Sequence, residues 1–307
     1  MNISDDVTRR IYCEGGPGSI LETVQMMRIF EDSKTFVDMK LKHSPTTVIN
    51  NWRIFCEHND ISVKENVERF VEDNFTEGSQ LEDWRPPDWK QDVEFNLGTE
   101  NDNKFCKELN DLWKLLGRKI SEEILAHQNR TSLLYLPNPF IVPGGRFREV
   151  YYWDSYWIIR GLLHCGLKDT ARGMIDNMFY LLEHLGYVPN GGRIYYTRSQ
   201  PPLLALMVDT YVEMTGDTAW ALTKLDLLVQ EWNYWLEHHS VQFEGHKMFR
   251  YYSQEATPRP ESYREDMNLV SHLQDTGHKE RVWRELRSAA ESGWDFSSRY
   301  LVYWYIW

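Results

Sequence analysis

The stretch "TARGMIDNMFYLLEHL", residues 170–185, indicates the fold most clearly. Apolar side chains recur in it every three or four residues, as they do on one face of an α-helix. The same spacing returns in residues 105–120, 201–214, 218–239 and 278–292. No run of residues alternates convincingly between apolar and polar, as a half-buried strand would. We therefore predict an all-α chain.

Between the predicted helices lie four loops that are rich in glycine, proline, arginine and aromatic residues. Helix pairs that alternate with such loops, at a period of roughly 50 residues, suit a solenoid or a closed ring with the loops gathered on one face. The first 20 residues are expected to form an irregular tail or strap, since terminal segments are poorly ordered unless they are tied down. The loops surround residues 143, 190–200, 258–263 and 292–299.

The charge balance argues against one class of partner. The 34 lysines and arginines are outnumbered by 46 aspartates and glutamates, so the formal net charge is −12. Such a chain is not attracted to nucleic acid phosphates or to anionic lipid surfaces. No apolar run approaches the ~20 residues that span a bilayer, and the N-terminus has no apolar signal-peptide core. We expect a globular, water-soluble protein with no nucleic acid partner and no membrane span.

Two features bear on the compartment and leave it undecided. Sequons of the form Asn-x-Ser/Thr at Asn2, Asn74 and Asn129 favour a secreted or cell-surface protein, because glycosylation requires the secretory route. The four cysteines show no C-x-x-C spacing, which argues against a zinc site and leaves disulfides open.

The loop "PGGRFREVYYWDSYW", residues 143–157, has the composition of a binding site. Glycines allow a ligand to approach the backbone closely, and aromatic faces beside polar groups suit a sugar ring. Trp153 and Asp154, which follow the glycine turn, are therefore candidate site residues. Tyr156 and Trp157 fit helix packing equally well.

A second polar loop is "VPNGGRIYYTRSQPP", residues 188–202. Asn190 fits a turn as well as it fits a ligand contact. Arg198, Ser199 and Gln200 directly precede a helix that begins with proline, and polar groups at a helix N-terminus can face a ligand.

Two later motifs bring charged side chains. Arg259 and Glu261 lie on either side of a proline in "PRPESY", so they could hold a neutral polyol together or form a solvated surface salt bridge. In "ESGWDFSSR", the aromatic neighbours Trp294 and Phe296 would raise the pKa of Asp295 and keep a proton on it, as a general acid requires. A helix cap is the alternative role for Asp295.

Other kinds of site find little support. His238 and His239 are adjacent at a helix end and do not share a face, so we interpret them as solvated charge rather than as metal ligands. The sequence has no Gly-rich phosphate loop and no Gly-x-Ser-x-Gly elbow, which argues against nucleotide-dependent enzymes and serine hydrolases. Carboxylates with aromatic residues remain as the candidate chemistry.

Four blocks, in this order, resemble the signatures of the trehalase family, and of animal trehalases in particular: "PGGRFREVYYWDSYW", "VPNGGRIYYTRSQPPLL", "PRPESY" and "ESGWDFSSR". The likeness extends upstream through "IYCEGG", "FEDSKTFVDM" and "WRPPDWK" and covers residues 11–299. The resemblance implies a toroid of paired helices, the α/α barrel. It also implies hydrolysis of α,α-trehalose to two glucose molecules with inversion, without metal or cofactor.

The resemblance further implies roles for individual residues, carried over block by block. Asp295 matches the general acid of the family. Asp154 and Glu261, beside arginines, are expected to stay ionised and to hold hydroxyl groups. The implied substrate contacts are Arg146, Trp153, Asp154, Asn190, Arg198, Ser199, Gln200, Arg259, Glu261 and Gly293.

The chain departs from the family pattern near its C-terminal end. The second family signature, a Gln-Trp-Asp-x-Pro block, is absent, and after Arg299 the likeness gives way to "YLVYWYIW". We therefore expect a tail over residues 1–20, an incomplete toroid over 21–299 and an aromatic tail over 300–307. Inversion needs a second carboxylate as base, about 6.5–9.5 Å from the acid, and the resemblance places that glutamate far downstream. The alternative to a trehalase is an inactive helical-repeat module that binds sugar without the general base.

A ring that stops near its middle leaves helix faces uncovered, and residues 300–307 are uncharged, mostly aromatic or β-branched and free of proline. We therefore predict that the 307-residue chain, expressed alone, is insoluble or molten and releases no glucose from trehalose. Sedimentation, calorimetric melting and a glucose assay check this. A soluble monomer that melts cooperatively and releases glucose would contradict it.

Overall fold

Helices dominate the computed structural model, which describes residues 6–78, 80–95 and 98–295. The prediction of a helix-rich chain is confirmed. Within these residues fourteen α-helices follow one another: α1 (Asp6–Tyr12), α2 (Ile20–Met26), α3 (Ser33–Asp38), α4 (Pro45–His58), α5 (Lys64–Asn74), α6 (Glu100–Leu116), α7 (Glu122–Ala126), α8 (Tyr152–His164), α9 (Lys168–Leu185), α10 (Leu204–Thr215), α11 (Thr218–Leu222), α12 (Leu225–His238), α13 (Tyr263–Leu269) and α14 (Thr276–Ser292).

Short strands correct the prediction of a purely helical chain. The described residues contain β1 (Lys40–Leu41), β2 (Phe75–Thr76), β3 (Leu81–Asp83), β4 (Gly117–Ile120), β5 (Phe140–Ile141), β6 (Ser240–Phe243) and β7 (His246–Phe249). β1 pairs with β2, β4 lies between β3 and β5, and β6 and β7 form a hairpin, all antiparallel. Strands of two to four residues are too short for alternation to appear in the sequence.

The predicted helix over residues 170–185 lies inside α9, which ends at Gly186 in the left-handed conformation (φ 83°). Glycine adopts this conformation without steric cost and commonly ends helices. Residues 218–239 form two helices, α11 and α12, because Thr223 and Lys224 break the run. The spacing therefore predicted the helical segments, while local turns set their ends.

The helix predicted over residues 105–120 is α6, which ends at Leu116 because the next residues pair as β4. Its apolar face is not buried as expected. Phe105, Leu109 and Leu112 are 60%, 41% and 43% exposed. Instead Trp113 faces α8, where a Cβ atom added to Gly161 would lie 2.9 Å from its ring.

The described part of the predicted N-terminal tail or strap, residues 6–20, is tied to the core. Residues 6–12 form α1, and Ile11 and Tyr12 are fully buried. The Tyr12 hydroxyl donates to the Met39 carbonyl (2.7 Å), and its ring lies 6.4 Å from the ring of Phe36. Apolar burial thus ties this segment to the core. The predicted aromatic tail, residues 300–307, lies outside the described residues.

Two large apolar clusters hold the described residues together. One is centred on α8, α9 and α10, where Ile159 and Met178 are fully buried. The other joins α1 to α5 around Phe36. This second cluster also reaches the loops before α8 and after α9, through Tyr151, Tyr195 and Tyr196.

The sequons differ in accessibility. Asn74 is 4% exposed, and its amide donates to the Phe70 carbonyl (2.9 Å) while its oxygen accepts from Asn51 (2.7 Å). A glycan on Asn74 is therefore incompatible with this fold, whereas Asn129 is exposed. Asn2 lies outside the described residues.

Among the described residues no helix is both long and apolar enough to cross a membrane. No group of three or more potential metal ligands occurs among them either.

The loop before α8 is anchored by a buried carboxylate. Glu149 is fully buried, and its oxygens lie 2.7 Å from Lys34 Nζ of α3 and 3.5 Å from Arg193 Nε. The Tyr151 hydroxyl donates to it as well (2.6 Å). Burial alone would raise the pKa of Glu149, but Arg193 and Lys34 hold it below its ordinary value. The anchor therefore joins three chain segments: α3, the loop before α8 and the loop after α9.

Replacing Glu149 with glutamine should destabilise the fold by about 3 kcal/mol, because it leaves buried cations without their full compensation. Chemical denaturation measures the free energy of unfolding. The matched control is Glu123→Gln, which removes an exposed ion pair with Lys40 and should leave the midpoint unchanged. Equal midpoints for both variants would contradict the anchoring role of Glu149.

Candidate active site

The loop after α9 lies against the N-terminal end of α8. The Asn190 backbone N–H donates to the Arg198 carbonyl (2.7 Å), which closes the loop on itself. The Asn190 carbonyl accepts from the Tyr152 N–H (3.1 Å), and the Gln200 side chain accepts from the Trp153 N–H (3.1 Å). Gln200 thus satisfies a free amide at the start of α8 and orients Trp153.

The end of α14 reaches the same place. Gly293 follows α14 with φ 71°, and a Cβ atom added to it would lie 2.8 Å from the Trp153 ring. The Asn190 side chain donates to the Ala290 carbonyl (3.3 Å). Only glycine combines this conformation with so close an aromatic contact. Asn190 and Gly293 therefore lie close to Trp153 and to the end of α14; their contact with a substrate stays a prediction.

Arg198 and Glu261 form a buried ion pair, in which Arg198 Nη2 lies 2.9 Å from Glu261 Oε1. Burial would raise the pKa of Glu261, but Arg198 and Arg259 hold it below its ordinary value. The carboxylate therefore stays ionised, as expected. Arg198 Nε and Nη1 and Glu261 Oε2 are buried without a hydrogen-bond partner in the described part of the chain.

Arg259 is not paired as the sequence suggested. Its guanidinium binds Asp266 of α13 at two points, with Nη2 2.6 Å from Oδ1 and Nε 2.9 Å from Oδ2. Arg259 and Glu261 are 6% and 7% exposed, which rules out the solvated salt bridge. The 3₁₀ turn Pro260–Ser262 replaces the extended backbone assumed from the sequence, so Glu261 reaches Arg198 instead.

The pKa values of the Asp295 and Asp154 carboxyl groups both lie above their ordinary values. Partial desolvation by the surrounding protein raises the pKa of Asp295, although the residue is exposed to solvent; Arg198 and Arg259 oppose the shift, and Glu261 adds to it. The direction agrees with the prediction, but its predicted aromatic cause does not, because Trp294 is 58% exposed and Phe296 lies outside the described residues.

Asp154 differs from its prediction. It lies in the first turn of α8, and burial raises its pKa, with a further rise from the charge of Asp295. The arginine that was expected to keep Asp154 ionised does not contribute to this shift. The two carboxyls are instead near enough to disfavour simultaneous ionisation.

Two predicted contacts are placed differently from the rest. The Arg146 side chain is half exposed and lies 3.3 Å from Asp32 Oδ2, and no contact joins it to the other candidates within the described ranges. Ser199 is 1% exposed, and its hydroxyl donates to the Val188 carbonyl (2.7 Å). The Ser199 hydroxyl hydrogen is therefore directed into the protein.

Sequence reasoning missed three buried polar residues behind the site. His239 is 3% exposed, so its interpretation as solvated charge is wrong. Arg287 of α14 donates to the Thr257 carbonyl (2.7 Å) and the Pro258 carbonyl (2.9 Å), which fixes the loop that carries Glu261. Glu291, one turn later, is also buried. The signal was the small residues around both charges in "RSAAES", which let a neighbouring backbone approach α14 closely.

Comparison with known proteins identifies the family. The family described as Trehalase matches residues 28–303. The chain belongs to the trehalase family. The trehalase of Apis mellifera is 44% identical over 301 residues, which cover 95% of this chain and 48% of the relative. The trehalase of Homo sapiens is 44% identical over 302 residues, covering 95% of this chain and 51% of the relative. The chain thus spans about half the length of the curated relatives it matches.

A solved structure is also similar. Neutral trehalase Nth1 from Saccharomyces cerevisiae is 26% identical, with a TM-score of 0.45, and the match covers 60% of this chain and 41% of that one.

Replacing Gly293 with alanine should cost more stability than the same change at Gly186. Both glycines follow a helix with positive φ, 71° and 83°, but only at Gly293 would the new methyl group meet the Trp153 ring. Because the methyl group must displace the Trp153 ring, Gly293→Ala should lower the free energy of unfolding by about 1–3 kcal/mol more than Gly186→Ala, the usual cost of overpacking. Denaturation of both variants measures the difference, and near-ultraviolet circular dichroism should report a change at Trp153 in Gly293→Ala alone. Equal losses would contradict the close contact.

Proposed function

We propose that this protein is an α,α-trehalase that hydrolyses trehalose to two glucose molecules by an inverting acid/base mechanism, with Asp295 as the general acid. The observation that carries the proposal is the pair of environments around Glu261 and Asp295. One buried carboxylate is kept ionised by arginines, and the other carboxyl has a raised pKa beside it. Such a division of two carboxyl groups supplies a binding group and a proton donor in one site.

The unused polar atoms suit sugar hydroxyls. Arg198 Nε and Nη1 can donate, and Glu261 Oε2 can accept. A hydroxyl group does both, so a sugar diol can satisfy atoms that would otherwise remain buried at a cost. Trp153, partly exposed at the start of α8, offers a flat apolar face for the ring.

Asp295 would protonate the glycosidic oxygen as the bond to the leaving glucose breaks. A raised pKa keeps that proton available at a higher pH than an ordinary aspartate allows. An inverting enzyme also needs a carboxylate base that activates water on the opposite face of the ring. Within the described residues Asp154 and Glu261 are carboxyl groups that interact electrostatically with Asp295. The relatives are about twice as long, which leaves room for a base in the part of them that this chain does not span.

The paired helices α8 to α12 would form part of an α/α toroid. α8 packs against α9 and α10, and α9 packs against α12. The loops between these helices carry Asn190 to Gln200, as a ring with its site at one mouth requires. A sugar-binding module without hydrolysis is the second candidate, because the buried atoms of Arg198 and Glu261 that lack hydrogen-bond partners among the described residues would serve sugar binding alone equally well.

In a version of the protein completed to the length of its trehalase relatives, replacing Asp295 with asparagine should lower the rate of glucose release from trehalose by roughly 10²–10⁴-fold, because general acid catalysis contributes about that much. The matched control is Asp226→Asn, an exposed residue in the first turn of α12, which should keep the wild-type rate. Glucose release is measured by a coupled assay, and binding by calorimetry. Near-normal turnover by Asp295→Asn would contradict the role of Asp295. Trehalose binding by the wild type without any glucose would support the binding module.

A further inference from the structure

A single buried carboxyl group joins two loops behind the site. Glu291, in the last turn of α14, is 1% exposed. Its Oε1 accepts from the Ser199 backbone N–H (3.1 Å), and its Oε2 accepts from the Tyr252 backbone N–H (3.1 Å). Each oxygen therefore accepts a hydrogen bond from a main-chain amide.

The backbone held by Glu291 carries groups of the site on both sides. Arg198 precedes Ser199 and reaches Glu261, while Gln200 follows it and accepts from the Trp153 N–H. A shift of this backbone would move all of these contacts together. We propose that Glu291 is a positioning residue, which holds the segment Arg198–Gln200 in the geometry that binds sugar, and that His239 sets how firmly it does so. The first half of this inference rests on the proposed function.

His239 lies on the other side of Glu291. Its Nε2 is 3.5 Å from Glu291 Oε1, and its Nδ1 is 3.2 Å from the Arg250 carbonyl. A carbonyl only accepts, so Nδ1 carries the hydrogen and Nε2 of the neutral ring is bare. A bare nitrogen and a carboxylate oxygen repel each other unless a proton lies between them. At 3.5 Å this repulsion acts on Glu291 Oε1, and protonation of either group relieves it.

The buried surroundings shift the pKa values of both Glu291 and His239. Burial raises the pKa of Glu291 to about 7 and lowers that of His239 to about 4. Arg198 is the cation that faces Glu291, and the phenols of Tyr187 and Tyr234, stacked 5.3 Å apart, are the other titratable neighbours. Glu291 thus exchanges its proton near neutral pH. Its ionised form is the stronger acceptor for the two amides.

Amide chemical shifts test this directly. In wild-type protein labelled with ¹⁵N, the Ser199 and Tyr252 amide resonances should titrate together with a midpoint near pH 7, following the pKa of Glu291. Glu291→Gln should abolish the titration. His239→Phe keeps the ring stack on Trp235, whose centroid lies 4.1 Å away, and should move the midpoint. Glu280→Gln, an exposed position on the same helix, is the matched control and should leave both resonances unchanged.

Affinity supplies the second readout. A sulfur-linked trehalose analogue that is not cleaved should bind Glu291→Gln about tenfold more weakly than wild type, the loss expected for one hydrogen bond. Wild-type affinity in Glu291→Gln, or amides that do not titrate in the wild type, would overturn the proposal. If Glu291→Gln does not fold, the pH midpoint of the Ser199 and Tyr252 amide titration is measured in His239→Phe instead. A midpoint equal to that of the wild type overturns the role of His239. If the wild type binds no analogue, the proposed function fails, while the amide titration still tests the hold of Glu291 on Ser199.

Discussion

The fully buried carboxylate of Glu149 is the constraint on which the arrangement of the site depends. Lys34 comes from an N-terminal helix, Glu149 from the loop before α8 and Arg193 from the loop after α9, so one ion cluster joins three distant parts of the sequence. A buried charge is tolerated only when it is paired and hydrogen-bonded. The three charged side chains must therefore keep their relative positions. This ion cluster fixes the two segments that follow it along the chain. Trp153 lies in the segment after Glu149, and Arg198 lies in the segment after Arg193.

The carboxyl groups near the candidate site differ in the direction in which their pKa values are shifted. Glu261 lies between arginines and has a lowered pKa, whereas desolvation raises the pKa values of Asp295 and Glu291. These three groups differ in their neighbours rather than in their intrinsic chemistry. Under the proposed function, this difference would allow one site to bind sugar, to donate a proton and to hold its own backbone at a single pH.

Much of the helical fold could be predicted, and candidate site residues could be named, because the relevant signals are local. Apolar spacing identified α9 and α14, and residue type with glycine turns pointed to Trp153 and Asp295. Long-range pairing was not visible in the sequence. Arg259 binds Asp266 while Glu261 binds Arg198. Asn74 and His239 are buried by segments far away along the chain. The strands escaped prediction because pairs of two to four residues are specified by their partners, not by their own pattern.

The central claim is that Arg198 and Glu261, held behind Trp153, form the sugar-binding centre of this protein. A crystal structure with the sulfur-linked trehalose analogue tests it most directly. The account predicts sugar hydroxyls within hydrogen-bond distance of Arg198 Nε or Nη1 and of Glu261 Oε2, which lack partners in the described part of the protein, and a ring against Trp153. An analogue bound elsewhere, with those atoms still without a sugar contact, would contradict it.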